Sequence, residues 1–302
     1  MKIALDPYMF RTTPLTELPA VVADLGYEWI ELSPRPDFIP FFLHPRADKE
    51  RIQSFAAALR ASGVGLASIL PLYRWSSPDE DERRAAVGYW RRAIEIAVDL
   101  DCRVMNSELS GRPEHAAASE AQLWRSLEEL LPIFEREGIS LRLEPHPDDF
   151  IEDGVAAVDL VRAIDSPFVT FLYCAPHTFH MGGDIAGIVR AAGSRLTHVH
   201  LADAFDHRAS SGLRYIVNPP ESTARVHQHL DIGQGEVDFD LLFASLREIA
   251  FDGILTSCVF AWEDRARESS LAMRAAIERY VSGRVGTEVT RGDGVVGASA
   301  GR

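Results

Sequence analysis

Eight short apolar, β-rich runs alternate with longer amphipathic segments, and no other feature of the chain limits its fold as strongly. The runs cover residues 2–5, 29–32, 65–69, 103–106, 140–143, 169–173, 197–201 and 253–259. Helical patterns lie between them at 15–25, 47–62, 79–100, 119–137, 155–164, 185–192 and 239–249, and a last one spans about 265–281. Strand-then-helix repetition without clustered hairpin signals builds a parallel sheet, and eight such units close it into a (β/α)8 TIM barrel. Leu25-Gly26-Tyr27, Ser62-Gly63-Val64, Glu137-Gly138-Ile139 and Phe251-Asp252-Gly253 each set a glycine between a helix and the next strand. A left-handed helix cap is favoured there.

The 302 residues, 46% of them hydrophobic, suffice for one large core, and single α/β barrels commonly reach this length. We therefore expect one barrel domain over 1–282. From Gly283 the sequence is glycine-rich and loses apolar periodicity, so 283–302 is expected to be a disordered tail. The longest insertion, 205–230, follows the seventh strand. It would stand at the C-terminal face, where barrels carry their active sites, and a connection of that length is usually functional.

A formal charge of −14 without any Lys/Arg cluster argues against a nucleic-acid partner. No apolar run approaches the roughly 20 residues that span a bilayer. The first residues lack a signal-peptide pattern, and three cysteines make no disulfide framework. Together these point to a cytoplasmic protein outside membranes.

The chemistry-bearing residues gather at strand ends. Glu144-Pro145-His146-Pro147 closes the fifth run, and residues two apart on a strand point to the same side. Cys174-Ala175-Pro176-His177, His198-Val199-His200 and His227-Gln228-His229 supply further metal-capable side chains. Four such pieces suggest one shared metal site. His198, two residues deeper on its strand, reads as barrel filling, Cys102 as core, and His44, His115 and His207 as surface residues. The charge run from Asp79 to Arg84 suits a helix start.

At this point the sequence resembles the xylose-isomerase-like barrels, which include sugar isomerases and epimerases, inosose dehydratases and AP endonucleases. The resemblance rests on Gly26-Tyr27-Glu28-Trp29-Ile30-Glu31-Leu32, the strand-five Glu144-Pro145, His200-Leu201-Ala202-Asp203 and Ile232-Gly233-Gln234-Gly235-Glu236-Val237-Asp238. It covers about 1–282. Sugar-converting members hold one divalent ion with a Glu, an Asp, a His and a second Glu from strands five to eight. Glu144 and His200 match the first and third, whereas Cys174 stands for the Asp and Cys258 for the second Glu. Two arrangements stay open. One is a mixed thiolate site of Glu144, Cys174, His200 and Cys258, suited to zinc. The other is a shifted site in which His177, His227 and His229 join Glu144 or His200 around manganese, iron or zinc.

A narrower resemblance is to the catalytic (α) subunits of C-glycoside deglycosidases. Asn106 through Glu114, Cys174 through His177, His227 through Gly235 and Cys258 through Glu263 carry it. It implies a carbon–carbon lyase acting on 3-oxo-C-glucosides, a divalent metal that is typically manganese, and a small β subunit. On this reading Glu144, His177, His200 and His229 bind the metal, and His146 takes the C2 proton before β-elimination. Glu108, His227, Phe260 and Trp262 contact substrate. The alternatives are a sugar isomerase, an epimerase or an inosose-type dehydratase on the same scaffold, or a metal-free sugar-binding or scaffold subunit. The acidic balance speaks against an endonuclease.

Overall fold

The computed structural model of the chain describes residues 1–205 and 228–283. Eight parallel strands, β1 (Lys2–Leu5), β2 (Trp29–Leu32), β3 (Gly65–Ile69), β4 (Val104–Glu108), β5 (Ser140–Glu144), β6 (Val169–Cys174), β7 (Leu196–Leu201) and β8 (Ile254–Ser257), form a closed barrel in chain order. β8 pairs back onto β1, with Lys2 opposite Ile254 and Leu5 opposite Ser257. The expected barrel is the one observed. Helices α1 (Leu18–Asp24), α2 (Lys49–Ser62), α3 (Glu80–Asp99), α4 (Ala116–Glu137), α5 (Gly154–Ile164), α6 (Ala175–His180), α7 (Ile185–Ala192), α8 (Phe239–Glu248) and α9 (Ala266–Val281) occupy the connections and the C-terminal end of the described chain. Among the described residues no helix is long and apolar enough to cross a membrane.

Boundaries shift where function begins. β4, β5 and β6 run one or two residues further than the apolar pattern indicates, ending on Glu108, Glu144 and Cys174, whereas β8 stops at Ser257 and leaves Cys258 beyond it. The short helix α6 is absent from the sequence reading. It starts directly after Cys174 with Pro176 in its first turn, where the missing N–H costs nothing. The charge run at Asp79 is a cap: its carboxylate accepts from the N–H groups of Asp81 and Glu82.

Three of the four glycine joints are left-handed as expected, at Gly26, Gly63 and Gly138, but the fourth is not. After α8 the left-handed residue is Ala250. Gly253 serves a different need, since a Cβ there would stand 2.1 Å from the Thr197 carbonyl oxygen.

The apolar core lies mainly between barrel and helices, where Trp75, Trp90 and Phe134 pack ring against ring at 5.3 and 5.7 Å. Inside the barrel, Ala4, Ala67, Ile254 and Trp29 form a small apolar plug near the strand starts. Above it the lumen turns polar, through Glu31, Ser68, Asn106, Arg142, His198 and Thr256, all buried. Barrel interiors are ordinarily filled by branched aliphatic side chains. A polar interior is costly unless its groups pair with one another; each of these side chains has a partner, although Asn106 Oδ1 accepts, and Arg142 Nε donates, no hydrogen bond among the described residues.

Candidate active site

Strand alternation and register assemble the site. Glu108 stands opposite Glu144 across β4 and β5, and Cys174 opposite His200 across β6 and β7. Helix α6 then carries His177 back over the barrel mouth. Glu144 Oε2 lies 3.3 Å from His200 Nδ1 and 3.5 Å from His177 Nδ1. Ligand-capable atoms of Glu144, Cys174 and His200 fall within 4.8 Å of one another, as do those of Cys174, His177 and His229. Cys174 is common to both groups, so the two arrangements left open by the sequence overlap in space. Cys258 belongs to neither group, although it lines the same cavity. His227 lies outside the described residues.

This donor set fits a divalent cation. Buried Glu144 Oε2 accepts no hydrogen bond among the described residues, a costly condition for a carboxylate that a cation would relieve. Oxygen, sulfur and imidazole nitrogen together suit zinc better than an oxygen-preferring ion. The imidazoles are oriented from behind. His229 Nδ1 is 2.7 Å from the Cys258 carbonyl oxygen, which can only accept, so Nδ1 carries the hydrogen and Nε2 the lone pair. His200 Nε2 is 2.7 Å from Glu31 Oε1, so Nδ1 is the nitrogen it offers to the site. Phe260 stacks on the His229 ring at 4.5 Å.

The Asp203 carboxylate explains the His-Leu-x-Asp and Gly-x-Gly motifs structurally. It accepts from the N–H groups of Gly233 and Val237, at 2.8 and 3.1 Å, while its backbone pairs with Leu230. Both ends of the long insertion are thereby held side by side, and His229, next to Leu230, is fixed over the barrel.

Beneath the site the polar lumen is a connected network. Glu31 Oε2 accepts from Ser68 Oγ at 2.6 Å and Asn106 Nδ2 at 2.8 Å. Arg142 Nη1 donates to His198 Nδ1 at 3.0 Å, so His198 Nε2 carries the hydrogen toward Thr256 Oγ1 and Glu31. Burial pushes His198 down to about 3, despite Glu31 nearby, so it is neutral filling as the sequence indicates. Burial opposes a charge on His200 too, yet Glu31 and Glu144 outweigh it and hold its pKa well above the ordinary value. Burial and Glu144 push the Cys174 thiol up to about 12, and burial holds Cys258 well above the usual thiol range. A cation would be needed to draw out a thiolate. Glu31, Asn106 and Arg142 were not foreseen as site residues. A solitary carboxylate in Trp29-Ile30-Glu31-Leu32 was the available signal.

His146 stands beside this group. Its Nδ1 donates to the Pro147 carbonyl at 2.6 Å, and its Nε2 lies 3.5 Å from Glu108 Oε1. Its ring meets His177 edge-on at 4.5 Å. Two spaces meet at Glu108. The inner one, about 30 Å³, is lined by Glu144, His177, His200, His229, Cys258 and Phe260, among others. The outer cleft, about 220 Å³, runs past His146 between the loops after β2, β3, β4 and β5. Trp262 lines neither space. It packs on the core with Arg265 4.4 Å over its ring, where the chain turns into α9.

A family model described as xylose isomerase-like TIM barrel matches residues 19–276. An inosose isomerase from Bacillus velezensis is 23% identical over 244 residues, 78% of this chain and 79% of its own length. A solved structure of an IolI protein with a bound zinc atom has a TM-score of 0.74 at 17% identity, covering 95% of this chain and 100% of that one. The 3-keto-D-glucoside 4-epimerase YcjR from E. coli has a TM-score of 0.68 at 18% identity, covering 91% and 99%. At such identities the likeness to the solved structures speaks for the fold.

Proposed function

The chain belongs to the xylose isomerase-like TIM barrel family, and from that premise we propose a divalent-metal-dependent enzyme that moves a proton beside the carbonyl of a sugar or cyclitol ketone, with isomerisation as its outcome. The observation that carries this reading is the convergence of Glu144, His177, His200 and His229 on one inner cavity, with Cys174 within ligand distance of both groups they form and the His146 ring against His177. The metal, when bound, supplies Lewis acidity to the substrate carbonyl oxygen and so makes the neighbouring C–H acidic.

His146 is placed to take that proton. Its Nδ1 hydrogen is committed to Pro147, which leaves Nε2 as the basic nitrogen, and Glu108 is near enough to stabilise the imidazolium that forms. Returning the proton to the former carbonyl carbon, while the neighbouring hydroxyl gives its own proton to the former carbonyl oxygen, gives the isomer. The inosose isomerase and keto-glucoside epimerase relatives support a ketone substrate of this kind. These proton-handling groups lie on the β4–β5 side. The β8 side offers Cys258, whose thiol burial keeps protonated. Removal and return on one face favours isomerisation over inversion of a centre.

The same one-sided geometry suits a second outcome. An enolate with a leaving group one carbon further on expels it, which is the C-glycoside lyase reading, and manganese and a small β subunit belong to that reading. Sulfur and three imidazoles among the donors support zinc.

The test is nuclear magnetic resonance in D2O with zinc-loaded protein, an inosose and a 3-keto-glucoside. Deuterium entering beside the carbonyl, with a product of unchanged skeleton, is expected. Release of the aglycone selects elimination. No exchange with either ketone overturns the proposal.

A further inference from the structure

We infer that Glu108 is a second catalytic residue, the carboxylate that carries the hydroxyl proton from one substrate oxygen to the other while His146 handles the carbon proton. The inference rests on the isomerisation reading of the site and adds the group that its second proton requires.

The demand comes from proton accounting. Shifting a carbonyl to the neighbouring carbon moves one proton between carbons and another between oxygens. His146 serves the first. Its Nδ1 hydrogen is held by the Pro147 carbonyl at 2.6 Å, so Nε2 is its working nitrogen. Once Nε2 holds the carbon proton, the imidazolium has no lone pair left for a hydroxyl. A different group must take that proton, and it must reach both oxygens.

Position selects Glu108. Among the described residues it is the one that lines both the inner cavity and the outer cleft. The carbonyl oxygen belongs to the inner space, beside the metal donors, and the neighbouring hydroxyl lies toward the cleft. Two oxygens on one carboxylate suit two oxygens on adjacent carbons. Glu144, the other carboxylate lining the inner cavity, faces His177 and His200 at 3.5 and 3.3 Å and serves the metal. Glu108 Oε1 lies 3.5 Å from His146 Nε2, so both proton carriers border the same substrate bond. The Glu108 side chain is only 12% exposed, which limits leakage of its proton to water.

The backbone holds Glu108 there. It closes β4 in register with Glu144, and its carbonyl accepts from Trp75 Nε1 at 3.2 Å and from Ser107 Oγ at 2.8 Å. Two residues on, Ser110 is left-handed at φ 58°, with its N–H on Asp149 Oδ2 at 2.6 Å. A residue with a β-carbon adopts that conformation only when its surroundings impose it, and such strain gathers at functional sites.

The step balances. After His146 has taken the carbon proton, Glu108 accepts the hydroxyl proton, and the freed O–H pair forms the new C=O π bond. The C=C π pair takes the proton back from His146 at the former carbonyl carbon. Protonated Glu108 then gives its proton to the former carbonyl oxygen, and both groups return to their starting states.

Glu108→Gln tests the inference, because the amide keeps the shape and carries no proton. Nuclear magnetic resonance in D2O, with zinc-loaded protein, an inosose and a 3-keto-glucoside, reads two rates separately: deuterium entry beside the carbonyl and formation of the isomer. Isomer formation is expected to fall at least 100-fold and deuterium entry less than tenfold. Glu108→Asp, which puts a carboxylate back, should regain at least tenfold of the lost isomer formation. Parallel loss of both rates in Glu108→Gln would confine Glu108 to steadying the His146 imidazolium and overturn the inference. Undiminished isomer formation in Glu108→Gln, or no regain in Glu108→Asp, overturns it as well. Exchange without isomer in the parent chain would also overturn it and leave the proton abstraction standing. No exchange in the parent chain would sink the proposed chemistry and this inference together.

Discussion

Glu31 Oε1 lies 2.7 Å from His200 Nε2, and neither side chain has appreciable contact with solvent. The two strands involved, β2 and β7, are far apart around the barrel, so the contact crosses the lumen. It fixes which nitrogen His200 can offer at the mouth. Glu31→Gln would replace one carboxylate oxygen by an N–H2 that faces donors from His200 or from Ser68 and Asn106. Supporting groups of this kind are typically worth 10- to 100-fold in metal affinity. We expect a drop of about that size, read by competition with a chromophoric chelator. An unchanged affinity would remove Glu31 from the site.

The two cysteines are expected to behave differently. Cys174 is shared by both donor groups, whereas Cys258 contributes its carbonyl to His229 and its thiol to neither group. Cys258→Ala should therefore leave one metal per chain, and Cys174→Ala should loosen it. Cobalt-substituted protein gives the direct readout, as a sulfur-to-metal charge-transfer band that survives in Cys258→Ala and vanishes in Cys174→Ala. A band that weakens in either single variant and vanishes only when both are replaced would restore the thiolate arrangement centred on both cysteines.

What the sequence shows of this protein follows physical locality. The barrel is legible because each strand and helix carries its own hydrophobic period, and Glu144, Cys174 and His200 are legible because a strand end is a local feature. The partnership of Glu31 with His200, and of Arg142 with His198, is set by closure of the barrel, which no stretch of sequence encodes. Helix α6 was missed because six residues are too few for a helical period. The position of Trp262 after β8 is legible as well, whereas the Arg265 guanidinium over its ring is not. His227 and all of the expected tail 283–302 except Gly283 fall outside the described residues.

His146 provides a test of role rather than of presence. Its nearest grouped partners are Glu108 and Asp149, not Glu144. If it is the base, His146→Ala should slow proton exchange by about 10²- to 10⁴-fold with metal content unchanged. Elemental analysis beside the exchange assay separates the cases. Loss of metal together with exchange would make His146 a ligand.

Asp6 gives a prediction about stability. It is fully buried at the end of β1, where its Oδ1 accepts from Ser33 Oγ at 2.7 Å and from the Tyr8 N–H at 3.0 Å. Burial, and then the negative charge of Glu31, raise its pKa from 3.8 to about 7. Between those values the native state holds a proton that the unfolded chain has released. Stability therefore falls as pH rises from about 4 to 7 and levels off above. Asparagine keeps the accepting oxygen and cannot ionise. The advantage of Asp6→Asn over the parent chain should thus grow by about 2–3 kcal/mol between pH 5 and pH 8. Urea unfolding of chelator-treated protein at the two pH values measures it. A difference that stays constant would mean that Asp6 is ionised throughout, held so by a cation or by His200.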